Sequence, residues 1–292
     1  MARKTKIDTR AIGLDVGLAF SRFLTGKENL HYGLWQSDWE VCGANAGRAQ
    51  EAYTEKLFRL LPEGRSLTIL DIGGGAGETA KKLVAMGHSV DIVIPSAFLA
   101  ERCRENAGPK ARVHECRFED FTTDRRFDLC LFSESYQYIP LDIALAKCLG
   151  LLADDGVVVI ADCFRSDAYY ADQEDVAKVG GGHALKDFRA LLAKMPVVVE
   201  AEEDITDAVA PSVEIEQEMF NVIGYAFRRS DEALSEARPV LYGTIRRIIG
   251  LLLGRRRRER LEQRLHQRTR TAEAFRHYNT YLMLRLRPQE TA

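Results

Sequence analysis

The 292-residue chain lacks most of the features that identify a function on sight. No window approaches the ~18 consecutive apolar residues of a membrane-spanning helix. The six cysteines (Cys42, Cys103, Cys116, Cys130, Cys148 and Cys163) form no CxxC pair and no CxxC…HxxxH spacing, so neither a disulfide framework nor a metal site is expected. Several sit inside apolar runs, as Cys130 does in FDLCLF, and read as buried reduced thiols of a cytoplasmic protein. The basic start MARKTKIDTR is interrupted by Asp8, Arg10 and Asp15 before an apolar core develops, which argues against a signal peptide. A net charge of only −2 argues against a dedicated nucleic-acid binder. Histidine is also scarce, at six residues, so candidate general bases are few.

What is present suffices for a full core. A hydrophobic content of 46% with 29% charged residues suits one generous α/β domain or a domain with an insertion. An amphipathic helix and a loop, KENLHYGLWQSDW, occupy the first forty residues, and a second helix begins near residue 46 and ends before Pro62-Glu63-Gly64. Apolar runs then alternate with helical patterns. LTILDI, SVDIVI, ARVHECRF, FDLCLFS, GVVVIADCF and PVVVEAEEDIT read as strands. GETAKKLVAMG, SAFLAERCREN (with Ser96 as N-cap), PLDIALAKCLGLL and HALKDFRALLAKM read as helices. Such alternation implies a mostly parallel sheet covered on both faces. YLMLRLRP (281–288) reads as one more strand, about 75 residues after the preceding one. The span between is helical in pattern (SVEIEQEMFNVIGYAFRR, VLYGTIRRIIGLLL, RRERLEQRLHQRTRTAEAFRHY) and is expected to lie over the sheet as a lid.

The turn in LTILDIGGGAGETA (67–80) carries the chemistry. Four glycines within five positions, between a strand and a helix, allow a ligand to approach bare backbone beside the free N–H groups of a helix N-terminus. The dinucleotide fingerprint G-x-G-x-x-G fails because its third position is Glu78, and the G-K-[ST] of a phosphate-binding P-loop is absent. What remains is Asp71-x-Gly73-x-Gly75-x-Gly77.

The LDIGGGAG stretch resembles motif I of the class I S-adenosylmethionine-dependent methyltransferases. The order of elements over roughly 50–206, the segment CLGLLADDGVVVIADCFR and the loop HYGLW (31–35) resemble the same family, among them tocopherol, sterol and quinone-type enzymes. The resemblance implies a Rossmann-like seven-stranded sheet with a reversed last strand, preceded by a helical insertion. It divides the chain into an N-terminal helix and active-site lid (1–45), a cofactor-binding core (46–206), a helical lid (207–280) and a final strand with its tail (281–292).

Carried over position by position, it places Gly73, Gly74, Gly75 and Gly77 against the methionine part of S-adenosylmethionine. Asp71 either orients that turn or reaches the cofactor's amino group through water. The acid that binds both ribose hydroxyls in most members is replaced by Ile94, Asp91 lying three residues too early; Ser96 is the remaining ribose candidate. The Phe118 backbone N–H and the Glu119 carboxylate are expected at the adenine, unless Glu119 belongs to an exposed acidic turn. Ser133 and Glu134 are expected at the methionine amino group, with Tyr136 and Gln137 facing the acceptor. His31 heads the base candidates, with Tyr32 and Trp35 as aromatic walls near the sulfonium. Asp162, His183 and Tyr278 are further substrate-side candidates. The amino-base loop of the DPPY/NPPY type is absent after the fourth strand, where SESY stands, which disfavours nucleic-acid methylation.

Arginine is concentrated between residues 246 and 270, ten of them against Glu259 and Glu262. An apolar run followed by clustered arginines suits either a lid helix with a solvated basic face, a helix lying on an anionic membrane over 245–264, or recognition of a phosphate on the substrate. The expected activity is methyl transfer to a small lipophilic acceptor such as a quinone, a sterol, a polyprenoid or a pigment. The alternatives are a soluble natural-product O- or N-methyltransferase and a methyltransferase-like binding protein without catalysis.

Overall fold

The computed structural model describes residues 9–172, 178–252 and 254–289, and within them all side chains but those of 9–12, 14, 245, 248–252, 255–258 and 260. Two helices, α1 (Thr9–Thr25) and α2 (Gly43–Phe58), precede an alternating series. It runs β1 (Thr68–Ile72), α3 (Glu78–Ala85), β2 (Ser89–Val93), α4 (Ala97–Ala107), β3 (Arg112–His114), β4 (Phe127–Ser133), α5 (Leu141–Leu151) and β5 (Leu152–Arg165). The short α6 (Ala168–Ala171), α7 (Leu185–Leu192) and β6 (Val197–Asp204) follow. Helices α8 (Thr206–Val209), α9 (Ser212–Ala237), α10 (Pro239–Leu252), α11 (Arg255–His266) and α12 (Ala272–Tyr278) then lead to β7 (Asn279–Pro288).

Among the described residues seven strands form one sheet in the order β3-β2-β1-β4-β5-β7-β6. All neighbouring pairs are parallel except those of β7, which runs antiparallel to β5 and β6. The strands are apolar on both faces because helices cover both faces. Ile69, Leu129, Leu131 and Val157 face a layer with Tyr53, Leu57, Leu83 and Phe275. Their neighbours Leu70, Cys130, Phe132 and Val158 face the opposite layer with Tyr136, Leu145, Phe164 and Phe188. The period of two along each strand sorts the two cores.

Three details differ from the sequence reading. The third strand is only Arg112–His114, because the chain leaves the sheet edge after His114 and turns to bury Phe118. The last helical segment of the insertion is two helices, broken at 267–271, where the Thr271 side chain caps α12 by accepting from the Ala274 N–H. The fifth strand spans Leu152–Arg165, starting four residues before the run GVVVIADCF and ending one residue beyond it, where antiparallel pairing with β7 extends the ladder through Arg165↔Asn279. Of the N-terminal segment, residues 1–8 lie outside the described residues. Among the described residues no helix is long and apolar enough to cross a membrane.

β7 is held on both sides, so its core side chains have no room to relax. Leu284, fully buried opposite Ile160, is expected to cost about 2–5 kcal/mol when changed to alanine. The urea midpoint should fall with an unchanged m-value. A loss under about 1 kcal/mol would contradict the packing described.

Candidate active site

β1 pairs with β2 on one side and β4 on the other, so the connections leave it in opposite directions. This is a topological switch point, and ligands of open α/β sheets bind outside the carboxyl ends of the strands there. A cavity of about 660 Å³ lies at that position. Its walls are the turn after β1, the residues following β2 (Ile94–Leu99), Arg117–Glu119, the loop after β4 and the segment Glu28–His31. The volume is that of a site for an ordinary small organic ligand.

The glycine turn forms its floor. A Cβ on Gly74 would stand 2.5 Å from the Asp71 Oδ2 and 2.8 Å from Ile92, so only glycine lets the turn close over the strand. Gly73 and Gly75 line the cavity. Gly77 does not; it has φ +88° and its α-carbon faces Cys103 of α4, where an added Cβ would stand 2.9 Å from the Cys103 Cα. Its role is to let α3 start against α4 rather than to touch a ligand. Asp71 is 1% exposed, and its Oδ2 has no hydrogen-bond partner within the protein. Burial pushes its pKa up to about 7. An unpartnered buried carboxyl beneath a bare backbone turn fits a ligand that brings a cation or a hydrogen-bond donor.

Glu134 is the second acid in the wall. Among the described residues it alone combines a side chain with a positive φ, +57°, a conformation that costs a residue of this kind about 1 kcal/mol. The strain is held by its backbone N–H, which donates to the Ala161 carbonyl at 2.8 Å. Its Oε1 accepts from the Tyr32 N–H at 2.7 Å and from the Tyr281 hydroxyl at 3.0 Å. Burial raises its pKa to about 8, with the nearby Asp162 adding to the shift and the two donors opposing it. Ser133 lines the cavity beside it, with its hydroxyl 3.3 Å from that of Tyr53. Ser135, not anticipated from sequence, locks the loop by donating to the Ile72 carbonyl; an added Cβ on Gly73 would press against it at 2.5 Å.

Ile94, Ser96, Phe118 and Glu119 also lie in the wall. Ile94 is buried and apolar where an acid was sought, and Asp91 is buried within β2, paired with Arg125 at 2.6 Å. The Ser96 hydroxyl caps α4, accepting from the Leu99 N–H.

Segment 28–31 closes the cavity. Glu28 accepts from Arg102 (3.1 and 2.5 Å) and from Asn106 (2.7 Å), both on α4. Burial works against its ionisation, but these hydrogen bonds hold its pKa below the ordinary carboxylate value. Glu51 of α2 bridges Lys27 and Lys82, adding a tie to α3. No sequence signal marks a contact between Glu28 and a residue 74 positions away.

His31 lines the cavity but is poorly placed to accept a proton. It stacks on Tyr53 at 4.4 Å, its Nδ1 donates to the Tyr32 carbonyl at 2.8 Å, and Nε2 lies 3.4 Å from the Thr54 hydroxyl. Burial lowers its pKa to about 4, so the ring is neutral and weakly basic.

The remaining expected site residues stand outside the cavity wall, each for a packing reason. Tyr32 offers its N–H to Glu134, while its ring meets Phe275 edge-on at 5.8 Å. Trp35 ties its loop to the insertion, donating through its ring N–H to Ser212 at 3.0 Å. Tyr136 is fully buried and donates to the Leu141 carbonyl. Gln137 gives its N–H to Asp162, whose other oxygen accepts from the Cys163 N–H. Asp162 is therefore a clamp between β5 and the loop after β4, and burial raises its pKa to about 7. The His183 ring bonds the Tyr136 and Ile139 carbonyls. Tyr278 donates to Asp172 at 2.9 Å. Among the described residues no cluster of three or more His, Cys, Asp or Glu side chains is arranged to hold a metal.

Two predictions follow the geometry. Gly77→Ala combines a forced positive φ with a contact against backbone and should cost about 2 kcal/mol or more in denaturant unfolding; a cost under 0.5 kcal/mol would refute the close α3–α4 approach. The raised pKa values of Asp71, Asp162 and Glu134 mean that the fold prefers their protonated forms. Stability is then full below the unfolded carboxyl pKa near 4 and declines as pH rises toward about 8. The melting temperature of the ligand-free protein should fall between pH 5 and pH 8, and Asp71→Asn should flatten the slope. A profile that rises over that range would contradict the assignment.

Residues 69–156 match the methyltransferase domain family. The chain is 26% identical over 203 residues to the 27-O-demethylrifamycin SV methyltransferase of Amycolatopsis mediterranei, covering 63% of this chain and 72% of that protein. An uncharacterized methyltransferase of Geobacillus thermodenitrificans is 26% identical over 139 residues, and the chain spans 64% of its length, less than two thirds. Among solved structures, the geranyl diphosphate C-methyltransferase of Streptomyces coelicolor, in complex with Mg2+, geranyl-S-thiolodiphosphate and S-adenosyl-L-homocysteine, is similar with a TM-score of 0.63 at 16% identity. That likeness covers 93% of this chain and 92% of the other. The cyclopropane synthase MmaA2 of Mycobacterium tuberculosis gives 0.67 at 14% identity over 98% and 100% of the two chains. The domain match falls on the glycine turn and the strands that flank it, so over these residues the chain is similar to the methyltransferase domain family, and its fold is that of the solved methyltransferases named above.

Proposed function

We propose that the chain transfers the methyl group of S-adenosylmethionine to a small lipophilic acceptor. The observation that carries this reading is the cavity at the switch point, floored by bare glycine backbone over the unpartnered carboxyl of Asp71. Gly73–Gly75 and Asp71 suit the methionine end of the cofactor, and Phe118 with Glu119 suits the adenine. With Ile94 in place of an acid, the ribose is left to Ser96 and backbone groups. The bound cofactor would supply an electrophilic methyl carbon. The protein's share is alignment of the acceptor along the line of the breaking bond, exclusion of water and acceptance of a proton.

The lipophilic character of the acceptor is supported by the insertion. Val222, Tyr225 and Phe227 on α9 are 57–69% exposed, and Val240 on α10 is 83% exposed. In sequence, basic residues follow from Arg246 to Arg270. An apolar helix followed by arginines suits peripheral contact with an anionic membrane through 245–264. The side chains of Arg255–Arg258 and much of the apolar run lie outside the described residues. A second reading, O-methylation of a soluble natural product, draws on the similarity to the rifamycin enzyme.

Methyl-labelled S-adenosylmethionine, offered with prenylated quinones in vesicles or with water-soluble phenols, separates the readings. Label should pass to the vesicle acceptor; transfer only to soluble phenols would favour the second reading. Co-sedimentation should be stronger with phosphatidylglycerol than with phosphatidylcholine vesicles and should fall when Arg255–Arg258 are all changed to glutamine. Unchanged partitioning would remove the membrane contact.

A further inference from the structure

We propose that Glu134 is the proton acceptor of the transfer, held for that task by the buried tyrosine pair Tyr281 and Tyr53. The proposal rests on the methyltransferase reading and assigns a role within the same site. Glu28, Glu78 and Glu119 also line the cavity, the first tied to Arg102 and Asn106; three further acids stand at the carboxyl ends of β1, β4 and β5 in or behind its wall, and their surroundings separate their roles. Asp162 spends its oxygens on the N–H groups of Gln137 and Cys163 and does not line the cavity. Asp71 sits beneath the glycine turn, against Gly74. Glu134 stands in the wall itself, carried there by a left-handed residue on the loop after β4.

Both of its donors, the Tyr32 N–H and the Tyr281 hydroxyl, converge on Oε1. That leaves Oε2 for the cavity. The Tyr281 and Tyr53 hydroxyls are 2.8 Å apart, so the group that steadies the carboxylate is itself fixed between α2 and β7. His31 lines the same cavity, but its Nδ1 proton is committed to the Tyr32 carbonyl and its Nε2 faces Thr54.

When the acceptor's electron pair forms the new bond to the methyl carbon, the carbon–sulfur pair withdraws onto sulfur and the positive charge passes to the acceptor. The acceptor then loses its proton to the Glu134 carboxylate, which later yields it to water. The charge balance suits this wall. The groups facing Glu134 are Asp162 from β5, Glu216 from α9, Cys163 from β5 and the tyrosines Tyr32, Tyr53 and Tyr281. Burial and neighbouring acids hold its proton affinity near neutrality, where an acid accepts and releases protons readily. A sulfonium in the same cavity would favour the ionised form.

Glu134→Gln keeps the size and both hydrogen-bond acceptances and removes the charge. The expected result is a loss of kcat/KM of about 100-fold or more, with S-adenosylhomocysteine affinity within threefold of wild type. Binding supplies an independent readout. S-adenosylmethionine differs from its demethylated product by the sulfonium charge, so its affinity relative to the product should rise several-fold from pH 7 to pH 9 in the wild type and stay flat in Glu134→Gln. Tyr281→Phe should move the acid limb of kcat/KM to higher pH while leaving product affinity unchanged, since it removes a donor to the ionised form. If Glu134→Gln instead weakens product binding tenfold, or the affinity ratio is flat in the wild type, the residue anchors the cofactor's amino group and the proposal fails. A wild type that binds neither compound would overturn the methyltransferase reading itself.

Discussion

The structure depends on one close approach: the backbone after β1 must lie flat over a buried carboxyl while the loop after β4 presses against it. Gly74 leaves no space for a side chain between Asp71 and Ile92, and Ser135 fills the space beside Gly73. The Ser135 hydroxyl then joins the two loops through the Ile72 carbonyl. With that contact made, the connections from β1 part in opposite directions beside a cavity floored by peptide groups, and α3 begins where its free N–H groups face it. The segment before α2 closes the top, fastened by ion pairs as well as by the packing of Leu30 and the His31–Tyr53 stack. Glu28 is held by Arg102 and Asn106, and Lys27 and Lys82 meet on Glu51.

The site also stores electrostatic tension. Asp71, Asp162 and Glu134 are buried in or beside the walls of one cavity, and the pKa of each is raised chiefly by burial. Such a site is poorly suited to an anionic ligand and well suited to a cationic one, whose charge would stabilise the ionised acids. The raised acids lower stability at neutral pH. That is a common compromise at sites built for binding rather than for rigidity.

Much of the fold was legible because its signals are local. Glycine spacing, apolar strands of five to nine residues and the final YLMLRLRP strand all follow from short-range pattern. The glycine turn could be placed at the carboxyl edge of the sheet, where the cavity lies, for the same reason. What failed was anything decided by distant partners. Asp162 read as a substrate-side candidate because no sequence pattern shows that its two oxygens are taken by the Gln137 and Cys163 N–H groups. Tyr136, His183 and Tyr278 carry the residue types of an active site but are consumed by carbonyl and carboxylate partners from other elements. Glu28 was passed over because its partner Arg102 lies on α4. His31 lines the cavity, yet the stacking on Tyr53 and the burial that make it a weak base have no local signature.

The central claim is that this cavity holds S-adenosylmethionine. Isothermal titration of the purified protein with S-adenosylhomocysteine tests it most directly. One saturable site, abolished by filling the floor with Gly73→Val and unaffected by adenosine diphosphate ribose, is the result this account requires. The absence of binding heat and of thermal stabilisation at millimolar ligand would contradict it.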